Sequence, residues 1–132
     1  MFMKSMDVIN LLEKAMTGSA LRHTVLTNNL TNVNTPNFKR SEVNFRSTLE
    51  DALDSQLAVK TTKAAHLQTN YFQGSPQISV DRQTSLRNDG NNVDLDVELA
   101  NLAENSIYYN SLVRFLSSQL SLLRQAITEG RR

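Results

Sequence analysis

The sequence predicts a mainly α protein, with two long terminal heptad helices pairing as an antiparallel coiled coil and a short irregular, β-containing segment between them. Three observations predict it. Apolar residues recur at alternating steps of three and four through both ends of the chain. The two patterned stretches are separated by a run rich in Thr, Ser, Gln, Asn and Asp. The chain has 132 residues, the size of one domain. We therefore read 1–132 as a single elongated unit, with helices over 7–34 and 94–129 and a variable middle over 35–93.

The first helix carries Ile9, Leu12, Met16, Ser19, His23, Leu26, Leu30 and Val33 along one seam. Val8, Leu11, Ala15 and Val25 form a second stripe beside it. Asp7 is the expected N-cap. The end is unusual for a helix, since Asn28, Asn29, Asn32, Asn34 and Asn37 crowd into ten residues. Asparagine is a poor helix former and a good turn former. Pro36 pushes Thr35 out of the α region, so Asn34, Thr35, Pro36, Asn37 and Phe38 read as the terminating turn. Asn28, Asn29 and Asn32 are expected to offer their amides to a neighbouring subunit.

The middle is weakly specified. Val43, Phe45, Leu49, Ala52 and Leu53 suggest a short amphipathic helix over 42–56. Within 58–92 only Ile78 and Val80 alternate, which allows one short strand or hairpin. Asp89-Gly90 is a turn signal.

The last helix has the stronger pattern: Leu95, Leu99, Leu102, Ser106, Tyr109, Val113, Leu116, Leu120, Leu123 and Ile127. Ala103, Tyr108, Leu112, Phe115 and Leu122 widen its apolar face. Asp94 is the expected N-cap, and Asp96 and Glu98 suit the positive end of the helix dipole. Pairing the seams antiparallel is expected to bring Ile9 near Ile127, and Leu30 near Leu102 or Ser106. A two-helix hairpin covers one stripe of each helix, and both carry more. The surplus marks an interface with other chains. The expected interface residues are Ile9, Leu12, Met16, Leu26, Leu30 and Val33 on the first helix. On the last they are Leu99, Leu102, Tyr109, Val113, Leu116, Leu120, Leu123 and Ile127.

Other chemistries find little support. Net charge is +1, which predicts no nucleic-acid partner. The absence of cysteine excludes disulfides and thiolate metal sites. His23 and His66 have no second ligand at metal-binding spacing. Asp94, Asp96 and Glu98 resemble the start of a calcium loop, but Leu99 stands where the loop needs glycine. Neither a phosphate-binding loop nor a dinucleotide fingerprint occurs. We expect no enzyme activity, no cofactor and no small-molecule substrate. Asp7, Asn10, Glu13 and Lys14 interrupt any apolar run near the start, so a cleaved secretory leader is not expected.

Two motifs resemble a known family. The run Asn28-Asn29-Leu30-Thr31-Asn32-Val33-Asn34-Thr35-Pro36-Asn37-Phe38-Lys39 is similar to the signature of the bacterial flagellar rod and hook axial proteins. Residues 90–98, GNNVDLDVE, and the NSIYY of 105–109 resemble the opening of the last helix in the proximal rod member. Asn37 stands where many relatives have glycine, and asparagine tolerates the left-handed conformation. The resemblance implies a structural subunit of the basal-body rod in the periplasm. Such a subunit polymerises helically around a channel, connects the membrane ring to the distal rod and transmits torque. It also implies type III export without a cleaved leader. The implied partners are other copies of the chain, FlgC-like rod proteins, a FliE-like adaptor, the membrane-supramembrane ring and the export apparatus. The short middle favours a thin, proximal section. The alternative is a cytoplasmic coiled-coil adaptor or export chaperone.

Overall fold

The computed structural model describes residues 5–44 and 76–129. Four elements follow in order: α1 (Ser5–Thr31), β1 (Ser41–Asn44), β2 (Gln77–Val80) and α2 (Leu95–Glu129). The two helices run antiparallel, as Ser19 meets Asn105 and, further along, Asn29 meets Glu98.

Both helices are bounded close to expectation. α1 starts earlier than Asp7, which places that carboxylate in the first turn rather than at the cap. It ends at Thr31, where Asn32 and Val33 pass into turns. α2 starts as predicted: Asp94 Oδ1 accepts the N–H groups of Asp96 (3.0 Å) and Val97 (3.3 Å). That satisfies two of the donors a helix start leaves unpaired.

The ribbon is the main correction. β1 and β2 pair antiparallel, Ser41 opposite Val80 and Val43 opposite Ile78. The strand expected at Ile78 and Val80 is present, but its partner begins the stretch expected to be a helix over 42–56. Val43 is buried while Glu42 and Asn44 are exposed, an alternation of period two. The rest of that expected helix, 45–56, lies outside the described residues.

The second correction concerns helix register. Counting outward from Ser19–Asn105 sets Ile9 level with Phe115, about 18 Å along the axis from Ile127. Asn29–Glu98 likewise sets Leu30 level with Val97 rather than with Leu102 or Ser106. α2 therefore continues for about ten residues past the level of Ser5.

The seams are rotated as well. In α1 the buried face is Leu12, Ala15, Ser19, Val25, Leu26 and Asn29, while His23 is exposed. In α2 it is Glu98 and Asn105, with Leu102, Leu112, Leu116, Gln119 and Leu123 partly covered. In each helix one predicted heptad position is right and the other is displaced by a single residue. Asn29 replaces Leu30, and Glu98 and Asn105 replace Leu99 and Ser106. Counting apolar residues misplaces the seam because three polar side chains in it find partners across the interface.

Candidate functional site

The end of α1 and the start of α2 are joined by a clasp of carboxamides. Asn91 Nδ2 donates to three carbonyls at the close of α1: Asn32 O (3.1 Å), Val33 O (3.0 Å) and Thr35 O (2.9 Å). These carbonyls belong to the turn just past Thr31, so Asn91 holds the turn that closes α1 from a distant part of the chain. Its own Oδ1 accepts the Val93 N–H (2.7 Å). Arg87 Nη1 adds a further donor to Val33 O (3.1 Å).

The turn that follows is shaped by two left-handed residues, Asn37 (φ 59°) and Gly90 (φ 80°). The Asn37 N–H donates to Asp89 O (2.9 Å), which draws the two backbones together. The positive φ favours glycine there, and a Cβ on Gly90 would lie 2.6 Å from Asn37 Oδ1, so that side chain would have to move. Lys39 Nζ donates to Thr84 O and Gly90 O, each at 2.8 Å. Asn92 bridges onward, accepting the Arg40 N–H (2.6 Å) and donating to Asp81 O (3.0 Å) and Thr84 Oγ1 (2.9 Å).

Next to the clasp, Glu98, Asn29 and the part-exposed Arg40 form a hydrogen-bonded triad. Glu98 is fully buried. Its Oε1 accepts from Arg40 Nε (2.6 Å) and its Oε2 from Asn29 Nδ2 (2.9 Å). Burying a carboxylate is tolerated only when it is paired and hydrogen-bonded, and both conditions are met. Asn29 is also fully buried. Its Nδ2 donates to Ser41 O (2.8 Å) and its Oδ1 accepts the Ser41 N–H (3.0 Å). The expectation that Asn29 faces a neighbouring subunit is thus corrected: its amide is fully engaged inside the chain. Asn28 is exposed and Asn32 half-buried. Asn32 Nδ2 donates to Asn28 O (2.9 Å) and Oδ1 (3.0 Å), tying the two side chains together.

Of the expected interface residues, Leu12 and Leu26 are buried within the chain, and Ile9, Met16, Leu30, Val33, Leu102, Leu116 and Leu123 are partly covered. Leu99, Tyr109, Val113, Leu120 and Ile127 remain exposed. On the other flank of the seam Tyr108, Phe115 and Leu122 are exposed too. α2 therefore carries uncovered apolar rows on both sides of its contact with α1. The residues sequence reading missed are Arg40, Asn91, Asn92 and Asn105. Two adjacent asparagines before a helix cap, and one on the seam side of α2, were the available signals. Among the described residues no cluster of three His, Cys, Asp or Glu side chains is placed to hold a metal ion, and no helix is long and apolar enough to cross a membrane.

No protein-family model matches the chain. Curated proteins do. The flagellar basal body rod protein FlgB of Bacillus subtilis is 33% identical over 120 residues, covering 91% of this chain and 92% of its own length. The chain belongs to the FlgB family of flagellar basal body rod proteins. FlgB of Borrelia hermsii is 37% identical over 99 residues, covering 69% of this chain and 73% of its own length. FlgB of Aquifex aeolicus is 31% identical over 119 residues, covering 90% of this chain and 91% of its own length. The two stretches that carried the resemblance to flagellar axial proteins are thus the two halves of the clasp, brought together here in a FlgB family member.

Proposed function

We propose that the chain is a structural subunit of the proximal flagellar rod, polymerising helically and joining the membrane ring to the distal rod so as to transmit torque. The observation that carries this reading is the pair of exposed apolar rows on α2. One is Leu99, Val113, Leu120 and Ile127, and the other is Tyr108, Phe115 and Leu122. A helix with one covered seam and two uncovered flanks is suited to packing beside a neighbour on each side. Membership of the FlgB family supports the rod as the place where those neighbours are found. They are other copies, FlgC-like and FliE-like proteins and the membrane-supramembrane ring. The subunit acts by packing, and no catalytic role is assigned to it. Export through the flagellar type III apparatus with the N-terminus intact completes the reading.

Leu120→Asp tests it. Leu120 is half exposed, so the variant monomer should keep its helicity, with a stability change within about 0.5 kcal/mol. Packed against a neighbour, the same carboxylate would cost several kcal/mol, so rod assembly and swimming should be lost. Normal motility in that variant would overturn the proposal. Mass spectrometry of purified basal bodies should find the chain with its N-terminus uncut. Its absence from them would favour a cytoplasmic adaptor instead.

A further inference from the structure

Both helices repeat their apolar positions every seven residues. Apolar packing alone therefore accepts alignments that differ by one heptad, about 10 Å along the axis. The alignment observed leaves the C-terminal stretch of α2 beyond the level of Ser5, with Leu120, Leu122 and Ile127 exposed. Sliding α1 by one heptad would lay it over that stretch. The same slide sets Leu26 opposite Asn105, which now exchanges hydrogen bonds with Ser19: Ser19 Oγ donates to Asn105 Oδ1 (3.0 Å) and Asn105 Nδ2 donates to Ser19 O (3.0 Å). It also parts Asn29 from Glu98, and carries the end of α1 away from Asn91.

We propose that these buried polar groups form a register key, which selects one alignment of α1 on α2 and holds α1 off the C-terminal part of α2. The physical argument is an asymmetry. A buried polar pair contributes little net stability compared with a well-packed apolar pair. Misaligned, it leaves donors, acceptors and a carboxylate buried without partners, which is heavily penalised. Polar side chains within an apolar seam therefore discriminate between registers more than they strengthen any one of them. No buried side-chain nitrogen or oxygen among the described residues lacks a partner in the present alignment, so the key fits its lock completely. That the open stretch then serves neighbouring subunits rests on the rod-subunit reading; the key itself does not.

The chain has no cysteine, so engineered pairs report without background. Leu12→Cys with Leu112→Cys reads the present register, seven residues from Ser19–Asn105 on each helix. Leu12→Cys with Gln119→Cys reads the one-heptad slide. Disulfide formation needs Cα atoms within about 7 Å, so each pair reports one register only. In dilute full-length protein the first pair should close and the second should close at most about one tenth as much. In a Glu98→Leu, Asn105→Leu, Asn91→Ala background the second should rise about tenfold. Equal closure of both pairs in the parent chain, or a second pair unmoved in the altered background, would overturn the proposal. Where the triple variant loses helicity by circular dichroism, Asn105→Leu alone decides: a several-fold rise supports the key and no rise refutes it. Neither readout involves the rod, so loss of the key and failure of the rod assignment are separable.

Discussion

Asn91 shows how much one carboxamide can do. It serves three carbonyls of the turn after α1 and accepts one N–H near the start of α2. Asn91→Ala removes the donor from all three and should cost about 2–3 kcal/mol in urea unfolding followed by circular dichroism. Asn91→Asp should cost more at neutral pH, because a carboxylate cannot donate and faces carbonyl oxygens. Next to it, Gly90→Ala meets Asn37 Oδ1 in a left-handed conformation and should cost about 1–3 kcal/mol. Asp81 adds a pH signature. The Thr84 hydroxyl and then the Gln83 N–H hold its carboxyl below the ordinary value of 3.8. A lowered folded-state value stabilises the fold above the unfolded pKa. That contribution fades as the pH falls below 3.8 through the folded value. Thr84→Val should flatten that part of the acid-unfolding curve. At this scale sequence reading went well where the signal was local, as at the Asp94 cap and the left-handed Asn37. It failed where the partner was remote, since nothing near Asn91 in sequence points to the end of α1.

At the scale of elements, Arg40, Glu98 and Asn29 tie β1, α2 and α1 together. Arg40→Leu leaves the fully buried Glu98 carboxylate without its cation and should destabilise by about 3–5 kcal/mol. Arg40→Leu with Glu98→Leu should recover most of the loss, and a double-mutant cycle in urea measures the coupling. The helices were legible because their apolar period runs over many turns. The seam was not legible to the residue: polar groups buried in pairs look, in a lone sequence, like polar groups in water. β1 was misread for a related reason. Val43 and the apolar residues after it fit a helical period, whereas in the fold Asn29, near the end of α1, holds the Ser41 backbone at the start of the strand.

At the scale of the molecule, the polar contacts between the helices are concentrated toward one end of the pair. The clasp, the triad and Ser19–Asn105 all lie in the half nearest the ribbon, while α2 runs on past α1 at the other end. Amide exchange on the monomer should therefore show its strongest protection over 19–29 and 98–105, falling toward 120–129. Uniform protection along α2 would contradict this gradient. The sequence foretold two antiparallel helices with surplus apolar surface. It mistook their axial offset, because a heptad repeat fixes the face of contact and leaves the offset to whichever polar residues meet.

The pairing of Asn29 with Ser41 has one more effect. A two-stranded ribbon ordinarily presents its outer backbone to any passing strand, the usual route to sheet-to-sheet aggregation. Here the side-chain amide stands in for a peptide group and occupies both the N–H and the C=O of Ser41. The same contact that anchors the ribbon to the helices therefore seals its outer edge at that residue. At Ser41 another strand would find no free backbone group with which to pair.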